Sequence, residues 1–337
     1  MAKTIRVLSI DGGGIRGLIP ALVLEHIEAL TGRPIASQFD LIAGSSTGGV
    51  MTALLTRPGP DGKPMYTAED VVGLYTEHGR DLFYADPAYQ AESKGGWALP
   101  VFPSSSVVTT LSKYLADAQL KDALTDVFVT AYDIDRRRPF FFERERARRP
   151  SGSGNFLMLD MARATCAFPA MFPAVEARNA SGTRTYHLID GGMVSANPAA
   201  LAYTRAKALF GPEAPVVMVS VGTGDFEAPL PFAQCENWGL TNWAPRVADV
   251  LFDGVNHGVD YAMEEVMRSS EYFRFQVTLP AANEGTADVS PANVDGLRQI
   301  VRDAIAGKGK GILPDTDRPR RPWPGRFTEL KKMLERG

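Results

Sequence analysis

Two consecutive units of strand, glycine turn and helix open the sequence, and they constrain the fold more than any other feature. The apolar stretch TIRVLSI (residues 4–10) is typical of a buried strand, and the glycine-rich DGGGIRG follows it directly. Pro20 and Gly32 are placed to begin and end the next helix. FDLIAG (39–44) then predicts a second strand, and SSTGGVMTALLT predicts a sharp turn into a second helix. This order predicts a parallel sheet with crossover helices.

Further elements are predicted along the remainder of the chain. Strands are expected at 127–134, 139–143, 186–190, 216–222 and 273–279. Helices are expected at 67–79, 105–118, 158–167, 198–209, 245–271 and 291–306. Two long loops, 83–105 and 225–243, are interpreted as a lid or acyl groove, or as loops packed on the core. The aromatic residues proposed for that role include Phe83, Tyr84, Trp97, Phe102, Trp238 and Trp243.

Composition excludes several classes of protein. The chain has 337 residues, of which 45% are hydrophobic and 22% charged, and its net charge is −3, which is typical of a soluble globular protein. This balance gives no overall attraction to nucleic acid, so that no nucleic-acid polymer is expected as a partner. Two widely spaced cysteines and an N-terminal segment that leads directly into a strand predict a cytoplasmic protein. No apolar run is long enough to span a bilayer, so peripheral contact is the expected form of any membrane association.

The glycines of IDGGGIRGLIP have two chemically distinct interpretations. Gly12, Gly14 and Gly17 match G-x-G-x-x-G, whose backbone amides bind the pyrophosphate of a dinucleotide. That interpretation requires an acidic residue at the end of the second strand, but Glu28 falls within the helix and Asp40 precedes the strand. The alternative is that the amides point at an oxyanion forming on an acyl carbonyl, which requires a nucleophile elsewhere in the chain.

A nucleophile motif lies in the second unit. The run Gly44-Ser45-Ser46-Thr47-Gly48 matches G-x-S-x-G between a strand and a helix. Such a turn leaves Ser46 strained and accessible, the flanking Gly44 and Gly48 avoid side-chain clashes, and the helix N-terminus stabilises negative charge beside the serine. A purely structural turn is the alternative interpretation of this pattern taken alone.

Asp190 is the candidate partner of Ser46. It ends a predicted strand and precedes Gly191 and Gly192, which would place its carboxylate at the same carboxyl edge of the sheet as the serine. Asp-Gly is also a common turn dipeptide, so that a structural turn is again the alternative.

The ordered motifs make the chain resemble the patatin-like phospholipase family of bacterial type. DGGGIRG, GSSTGG and DGG occur in that order, with ATCAFPAMFPAV (164–175) before the last and SVGTG (220–224) after it, and the resemblance covers about residues 4–224. It implies an α/β fold, a three-layer α/β/α sandwich with a mainly parallel central sheet. We expect 1–337 to form one domain, with 225–337 as its helical C-terminal extension.

The resemblance also implies hydrolysis of lipid acyl esters by a serine and aspartate dyad without histidine. It assigns Ser46 as the nucleophile and Asp190 as its partner. It assigns the oxyanion loop to Gly12, Gly13 and Gly14. Phospholipids or other acyl-ester lipids are the implied substrates, and neither a cofactor nor a metal is expected, since the sequence has no metal-ligand motif. The chain departs from the common A-T-S-A-A-P at 164–169 and from A-N-N-P at 195–198, which we expect to alter local packing or substrate shape.

Arg16 and the histidines are secondary candidates. Arg16 would pair with a lipid phosphate or support the oxyanion site, or it is an exposed structural arginine. A Ser-Asp-His triad requires a histidine after Asp190, and only His257 qualifies, within a predicted amphipathic helix that disfavours the role. His26 and His78, with His187, are assigned to surface or packing roles.

Two basic segments bear on membrane contact. DIDRRRPFFFERERARRP is interpreted as a hairpin with Arg136–Arg138 at its turn, or as a membrane-facing patch. The C-terminal DRPRRPWPGRFTELKKMLERG, with Trp323 and Phe327, predicts a docking or interfacial helix, or a solvated tail. Beside a lipid acyl hydrolase, two hypotheses stay open. One is an effector gated by a small-molecule activator such as a cyclic nucleotide, sensed after Gly224, and the other is a silent lipid-binding module.

Overall fold

A mixed β-sheet with helices on both faces forms the centre of the protein. The computed structural model describes residues 3–226, 229–244, 246–308 and 322–335. Its strands are β1 (Ile5–Ile10), β2 (Leu41–Gly44), β3 (Asp126–Asp133), β4 (Arg138–Glu143), β5 (Val175–Arg178), β6 (Thr185–Ile189), β7 (Val216–Val221), β8 (Asp225–Phe226), β9 (Tyr272–Phe275) and β10 (Thr278–Leu279). The main sheet has the order β5-β6-β3-β2-β1-β7-β9, and β4 pairs with β3. The α/β prediction is confirmed.

The helices are named in chain order. They are α1 (Leu18–Thr31), α2 (Thr47–Thr56), α3 (Ala68–Glu77), α4 (Gly79–Leu82), α5 (Pro87–Ser93), α6 (Ser104–Leu115), α7 (Arg144–Ala147), α8 (Met158–Thr165), α9 (Gly192–Ser195), α10 (Ala199–Phe210), α11 (Phe232–Cys235), α12 (Leu240–Trp243), α13 (Val247–Val266), α14 (Pro291–Ile305) and α15 (Trp323–Glu335). Gly32 ends α1 in the left-handed conformation, as its position predicts. Within the described ranges, no helix combines the length and apolar content needed to cross a bilayer.

Side chains on alternate positions of the strands enter two separate cores. Leu8 and Ile10 of β1 join the larger cluster with α1, α2, α3 and α8. Ile5 and Val7 join a smaller cluster with α10 and part of α13. Because successive strand residues point to opposite faces, one strand contributes to both layers. This arrangement is a three-layer α/β/α sandwich.

The direction of the strands divides the sheet into two parts. β2, β1, β7 and β9 run parallel to one another, and β2 also pairs parallel with β3. β4 and β6 both pair antiparallel with β3, and β5 pairs antiparallel with β6. The parallel part confirms the crossover pattern of the first two units, and the antiparallel part begins at the β3–β4 hairpin.

The segment 273–279 is two strands, where the sequence predicts one. β9 belongs to the main sheet, whereas β10 pairs with β8 in a separate two-stranded sheet. Gln276 separates them, since its side chain accepts from the Gly224 amide at 2.8 Å and donates to Asp225 at 2.9 Å. A side chain that bonds the backbone in this way interrupts the ladder and turns the chain toward β8.

Short elements fill regions that the sequence predicts as loops. The segment 83–105 contains α5, whose first turn is capped by the Asp86 side chain at 2.8 Å from the Tyr89 amide, with Pro87 in the first helical position. An Asp-Pro pair before a polar run is a recognised helix start, so this helix could have been predicted. β5 is an edge strand whose residues are alternately buried and exposed, and it is not among the strands predicted from the sequence.

The first basic segment forms the predicted hairpin, and the C-terminal one forms a helix that docks on the core of the protein. Asp133 and Arg138 pair at the closed end of a β3–β4 hairpin, and Phe142 of β4 is buried edge to face against Phe156 with ring centroids 5.1 Å apart. In the C-terminal segment, α15 docks on the core, where Trp323 and Phe327 are buried and contact Phe275 at 5.4 and 4.4 Å. Its apolar face is therefore covered by protein. The four residues Arg318 to Arg321 lie outside the described residues.

Candidate functional site

The turn between β2 and α2 holds Ser46 in a strained conformation. Its φ of 51° and ψ of −124° lie in a region that side chains rarely adopt and that costs about 1–3 kcal/mol. The glycines on either side are required by close approach, because a Cβ on Gly44 would meet the carbonyl of Gly48, and one on Gly48 would meet that of Ile10. The chain thus turns tightly enough to present the serine hydroxyl at the N-terminus of α2.

The Asp190 carboxylate is hydrogen-bonded to that hydroxyl. Ser46 Oγ donates to Asp190 Oδ2 at 2.8 Å, and the Gly192 amide donates to Asp190 Oδ1 at 2.6 Å. The aspartate is buried, and burial raises its pKa to about 7, against the opposing effect of these two hydrogen bonds. At neutral pH a substantial fraction of the carboxyl group is ionised, and it can accept a proton from the serine.

Asp190 reaches the carboxyl edge of the sheet by a different path from the one expected. β6 is antiparallel to β3, and Ile189 pairs with Tyr132 near the carboxyl end of β3. The strand therefore starts beyond this edge and arrives at it from outside, so that Asp190, the residue after its end, lies beside the end of β2. The expected juxtaposition with Ser46 is present, although β6 does not run parallel to β2.

A segment at the end of α8 connects the two loops, and sequence reasoning did not assign it a role. Thr165 Oγ1 accepts from the Ser46 amide at 2.9 Å, and the Thr165 carbonyl accepts from the Gly191 amide at 2.9 Å. Cys166 lines the cavity beside the serine, and burial, with the Asp190 charge, raises the pKa of its thiol well above the ordinary value. The sequence signals at this segment are the run ATCAFPAMFPAV, which contributes to the family resemblance, and its departure from A-T-S-A-A-P.

The glycine loop after β1 has two amides free for an anion. The Gly12 amide is not one of them, since it donates to the Ala196 carbonyl at 2.8 Å, which leaves Gly13 and Gly14 as the candidate donors of the predicted oxyanion loop. Gly12 instead provides space, because a Cβ there would lie 3.0 Å from Ser46 Cβ. In the described part of the chain, the amides of Gly13 and Gly14 have no hydrogen-bond acceptor. Gly14 has a φ of 61°, which favours glycine.

Arg16 is a buried arginine, which excludes the exposed structural alternative. It is 8% exposed and lines the same cavity, its guanidinium lies 4.7 Å from the Phe226 ring, and its Nε donates to the Gly13 carbonyl at 3.4 Å. Among the described residues, its Nη1 has no hydrogen-bond partner. Burial lowers its pKa to about 10, so it remains charged at neutral pH. A buried, unsatisfied cation beside the glycine loop is suited to an anionic group.

A buried ion-pair network anchors the glycine loop, and it was not predicted from the sequence. Arg274 on β9 donates to Asp11 Oδ2 at 2.7 Å and to Asp260 Oδ2 of α13 at 3.2 Å. Asn197, which follows the Asp190 loop, donates to Asp260 at 2.9 Å. Burial raises the pKa of Asp11 to about 7, although Arg274 opposes the shift. The network joins β1, β9, α13 and the chain after Asp190.

The site opens into a cavity of about 260 Å³ with two chemically different ends. The apolar end contains Val50, Leu82, Phe83, Val107, Leu111, Phe168, Met171 and Phe172. The polar end contains Arg16, Thr223, Asp249, Asp253, Asn256 and Thr286. α13 crosses the cavity, and its Phe252 lies 5.7 Å from Phe168.

The aromatic residues of the two long segments divide between the cavity and the surface. Phe83 lines the cavity and Phe102 packs beside it, with ring centroids 5.6 Å apart. Trp97 is 93% exposed, and Tyr84 is also exposed. Trp238 and Trp243 pack edge to face with ring centroids 5.3 Å apart, outside the cavity lining. The first segment therefore contributes the ring of Phe83 to the cavity lining, and the second segment contributes that of Phe226.

The histidines lie away from the Ser46 and Asp190 pair. His257 is on α13, half exposed, with Nε2 3.8 Å from Asp225, and no hydrogen bond within the described residues joins it to Ser46 or Asp190. His26 packs against Phe327, and His78 and His187 pair with nearby aspartates. In the described residues, no cluster of histidine, cysteine and carboxylate side chains could hold a metal ion.

Comparisons with known proteins give the family. The family model "Patatin-like phospholipase" matches residues 8–203. Patatin-like protein 2 of Arabidopsis thaliana is 31% identical over 92% of this chain and 83% of its own length. Patatin-like protein 4 of the same plant is 28% identical over 88% and 82%, and Patatin-T5 of Solanum tuberosum is 28% identical over 94% and 87%. The similarity thus extends well beyond residue 224. The chain belongs to the patatin-like phospholipase family.

Proposed function

We propose that this protein is a phospholipase A-type lipid acyl hydrolase that acts through Ser46 and Asp190. The observation that carries the proposal is the 2.8 Å hydrogen bond between Ser46 Oγ and a buried carboxylate whose pKa is about 7. Membership of the patatin-like phospholipase family indicates hydrolysis of lipid acyl esters. A serine beside a poised base, in a cavity with an apolar end, is the arrangement that acyl transfer requires.

The reaction proceeds in two balanced steps. Asp190 accepts the hydroxyl proton of Ser46 as Oγ attacks the ester carbonyl, and the Gly13 and Gly14 amides stabilise the oxyanion. The C–O bond to the glycerol breaks, and the Asp190 proton passes to the departing alkoxide. Asp190 then takes a proton from water, which attacks the acyl-enzyme, and the fatty acid leaves as the proton returns to Ser46. Water is the only co-reactant.

The two ends of the cavity bind the two parts of the substrate. The apolar end receives the acyl chain, whose burial provides the main binding free energy, at about 0.8 kcal/mol for each CH₂ group. Arg16 pairs with the phosphate of the phospholipid, which would satisfy its Nη1. No cofactor enters this scheme.

A fluorophosphonate probe tests the nucleophile. We expect covalent labelling of the purified protein at Ser46, mapped by mass spectrometry, because the probe reacts with activated serines. We also expect the unlabelled protein to release fatty acid from phospholipid, and labelling to stop that release. Label on another residue, or fatty-acid release that labelling does not change, would contradict the proposal.

We also propose that the protein meets lipid through an apolar ridge on α13, formed by Val247, Val250, Leu251 and Val255. These side chains are 41–62% exposed, on the same turns of α13 that line the cavity. Exposed apolar residues beside a cavity mouth are typical of a lipid or protein contact. This ridge replaces the basic segments as the proposed site of peripheral membrane contact.

Leu251→Asp is expected to weaken binding to phosphatidylcholine vesicles at least about tenfold, since a buried leucine contributes roughly 1.5–3 kcal/mol and a charge opposes insertion. Co-sedimentation with Ser46→Ala protein measures binding without hydrolysis. Met65→Asp is the matched control. Met65 is 44% exposed, but it lies beyond the far end of α2, a ten-residue helix about 15 Å long. Equal binding by both variants would contradict the proposal.

A gated enzyme is the second candidate function, favoured by the position of α13. This helix crosses the cavity and places Phe252 close to Gly192 and Phe168, so that a movement of α13 would open the site. Fatty-acid release measured with and without cyclic nucleotides distinguishes a gated enzyme from a constitutive one. A silent lipid-binding module would show neither release nor labelling.

A further inference from the structure

Carboxylates outnumber cations among the charged side chains at the polar end of the cavity. Besides Asp190, the charged side chains that line the cavity are Arg16, Asp249 and Asp253. The two aspartates are four residues apart on α13, so they lie on the same face of that helix. Asp249 is exposed at the mouth, and Asp253 is half-buried further inside. One cation and two carboxylates therefore line this end.

Arg16 and the aspartates do not neutralise one another by direct contact. In the described residues, no ion pair joins Arg16 to a carboxylate within 4.0 Å, and its Nη1 is buried without a partner. Burial raises the pKa of Asp253, whereas its neighbours Arg16 and His257 oppose the shift. Two further carboxylates, Asp225 and Glu284, contribute to the field at Arg16. A buried cation whose Nη1 has no partner among the described residues, and carboxylates that form no direct ion pair with it, correspond to two binding positions of opposite sign.

We propose that Asp249 and Asp253 select phospholipids whose headgroup carries an ammonium group. The inference rests on the proposed function, in which Arg16 binds the substrate phosphate. The ammonium of such a headgroup is covalently tethered to the phosphate, and it would lie toward the carboxylates of α13. A zwitterionic headgroup thus complements both positions at once.

Anionic headgroups fit the same cavity poorly. A phosphatidylglycerol has a phosphate for Arg16 but only hydroxyls for the aspartates, so its net negative charge meets uncompensated carboxylates. Like charges brought together in a partly desolvated site are disfavoured, and this repulsion gives specificity against the wrong partner. The aspartates therefore discriminate by attraction to the ammonium and by repulsion of an anionic lipid.

The test compares two soluble lipids that differ in headgroup charge. Dihexanoyl phosphatidylcholine and dihexanoyl phosphatidylglycerol are titrated, each below its critical micelle concentration, into Ser46→Ala protein, and their dissociation constants are measured by calorimetry. We expect the choline lipid to bind about tenfold more tightly, and the ratio to fall below about twofold in Asp249→Asn/Asp253→Asn. The ratio is the readout because a general loss of affinity cancels from it.

Glu265→Gln is the matched control. It removes one negative charge from the same helix, about 18 Å along the axis from Asp253, and outside the cavity lining. It should keep the full preference for the choline lipid. Equal binding of the two lipids by the parent protein, or a preference that survives the double substitution, would overturn the inference. Since binding is measured without turnover, a protein that fails to hydrolyse lipid would refute the proposed function and leave this measurement to decide the inference separately.

Discussion

Asp190→Asn is expected to lower kcat for phospholipid hydrolysis by about a thousandfold or more, because an amide cannot accept the proton of Ser46. The substitution is nearly isosteric. The oxygen of the new side chain can still accept from the Gly192 amide, which donates to Asp190 at 2.6 Å in the parent, and the new amide nitrogen can face Ser46. Steady-state release of fatty acid from a soluble phospholipid measures the effect. Activity within about tenfold of the parent would contradict the role of base.

The pH profile distinguishes loss of the base from a general disturbance of the site. The parent enzyme should gain kcat/KM as pH rises through about 7, where Asp190 loses its proton, and this limb should be absent from the residual activity of the variant.

The effect of Asp190→Asn on stability should be opposite in direction to its effect on activity. The pKa of Asp190 is higher in the folded protein than in the unfolded chain, so its protonation adds to the free energy of unfolding. This contribution is fully present below about pH 4 and is lost as pH rises through about 7. At pH 8 the variant should therefore unfold at the same temperature as the parent, or at a higher one. A lower unfolding temperature would show that the activity loss reflects misfolding.

The turn that carries Ser46 could be predicted from the sequence because its constraints act between neighbouring residues. Gly44, Ser46 and Gly48 lie within one turn, where sterics decide which residues fit. β1 and β2 are short, mainly apolar runs, and such runs predict buried strands well. Asp190 was placed at the correct edge although β6 runs antiparallel, because only the position of its strand end mattered.

The rest of the site depends on contacts between distant parts of the chain. Thr165 bonds a residue 119 positions away, and Arg274 bonds one 263 positions away, so no local pattern marks either. α13 was predicted as a helix, but its passage over the cavity is decided by how Phe252 and Asp260 pack. Gly12 belongs to the predicted oxyanion loop, and its amide donates to the carbonyl of Ala196, in a distant part of the sequence. These are tertiary contacts, which hydrophobic periodicity and local secondary-structure propensity do not determine.

Arg274→Met is expected to destabilise the protein by about 3–5 kcal/mol, since it leaves the buried carboxylates of Asp11 and Asp260 without their cation. Both partners are almost completely buried, so water cannot replace the guanidinium. Urea unfolding at pH 8 measures the loss. The deficit should shrink at pH 5, because the pKa of Asp11 is already about 7 in the folded protein and its protonation removes one of the two unpaired charges.

Arg178→Met provides the matched control for the arginine substitution. Arg178 lies exposed on the edge strand β5 and bonds only the Gly182 carbonyl, among its described contacts, so its loss should change the free energy of unfolding by less than about 0.5 kcal/mol. A double variant, Arg274→Met with Asp11→Asn, should recover part of the stability of Arg274→Met at pH 8, since it removes an unpaired charge. If Arg274→Met were no less stable than Arg178→Met, the ion-pair network would not be what ties the glycine loop, which follows β1, to β9. In that case the position of Gly13 and Gly14 would depend on the packing of β1 alone.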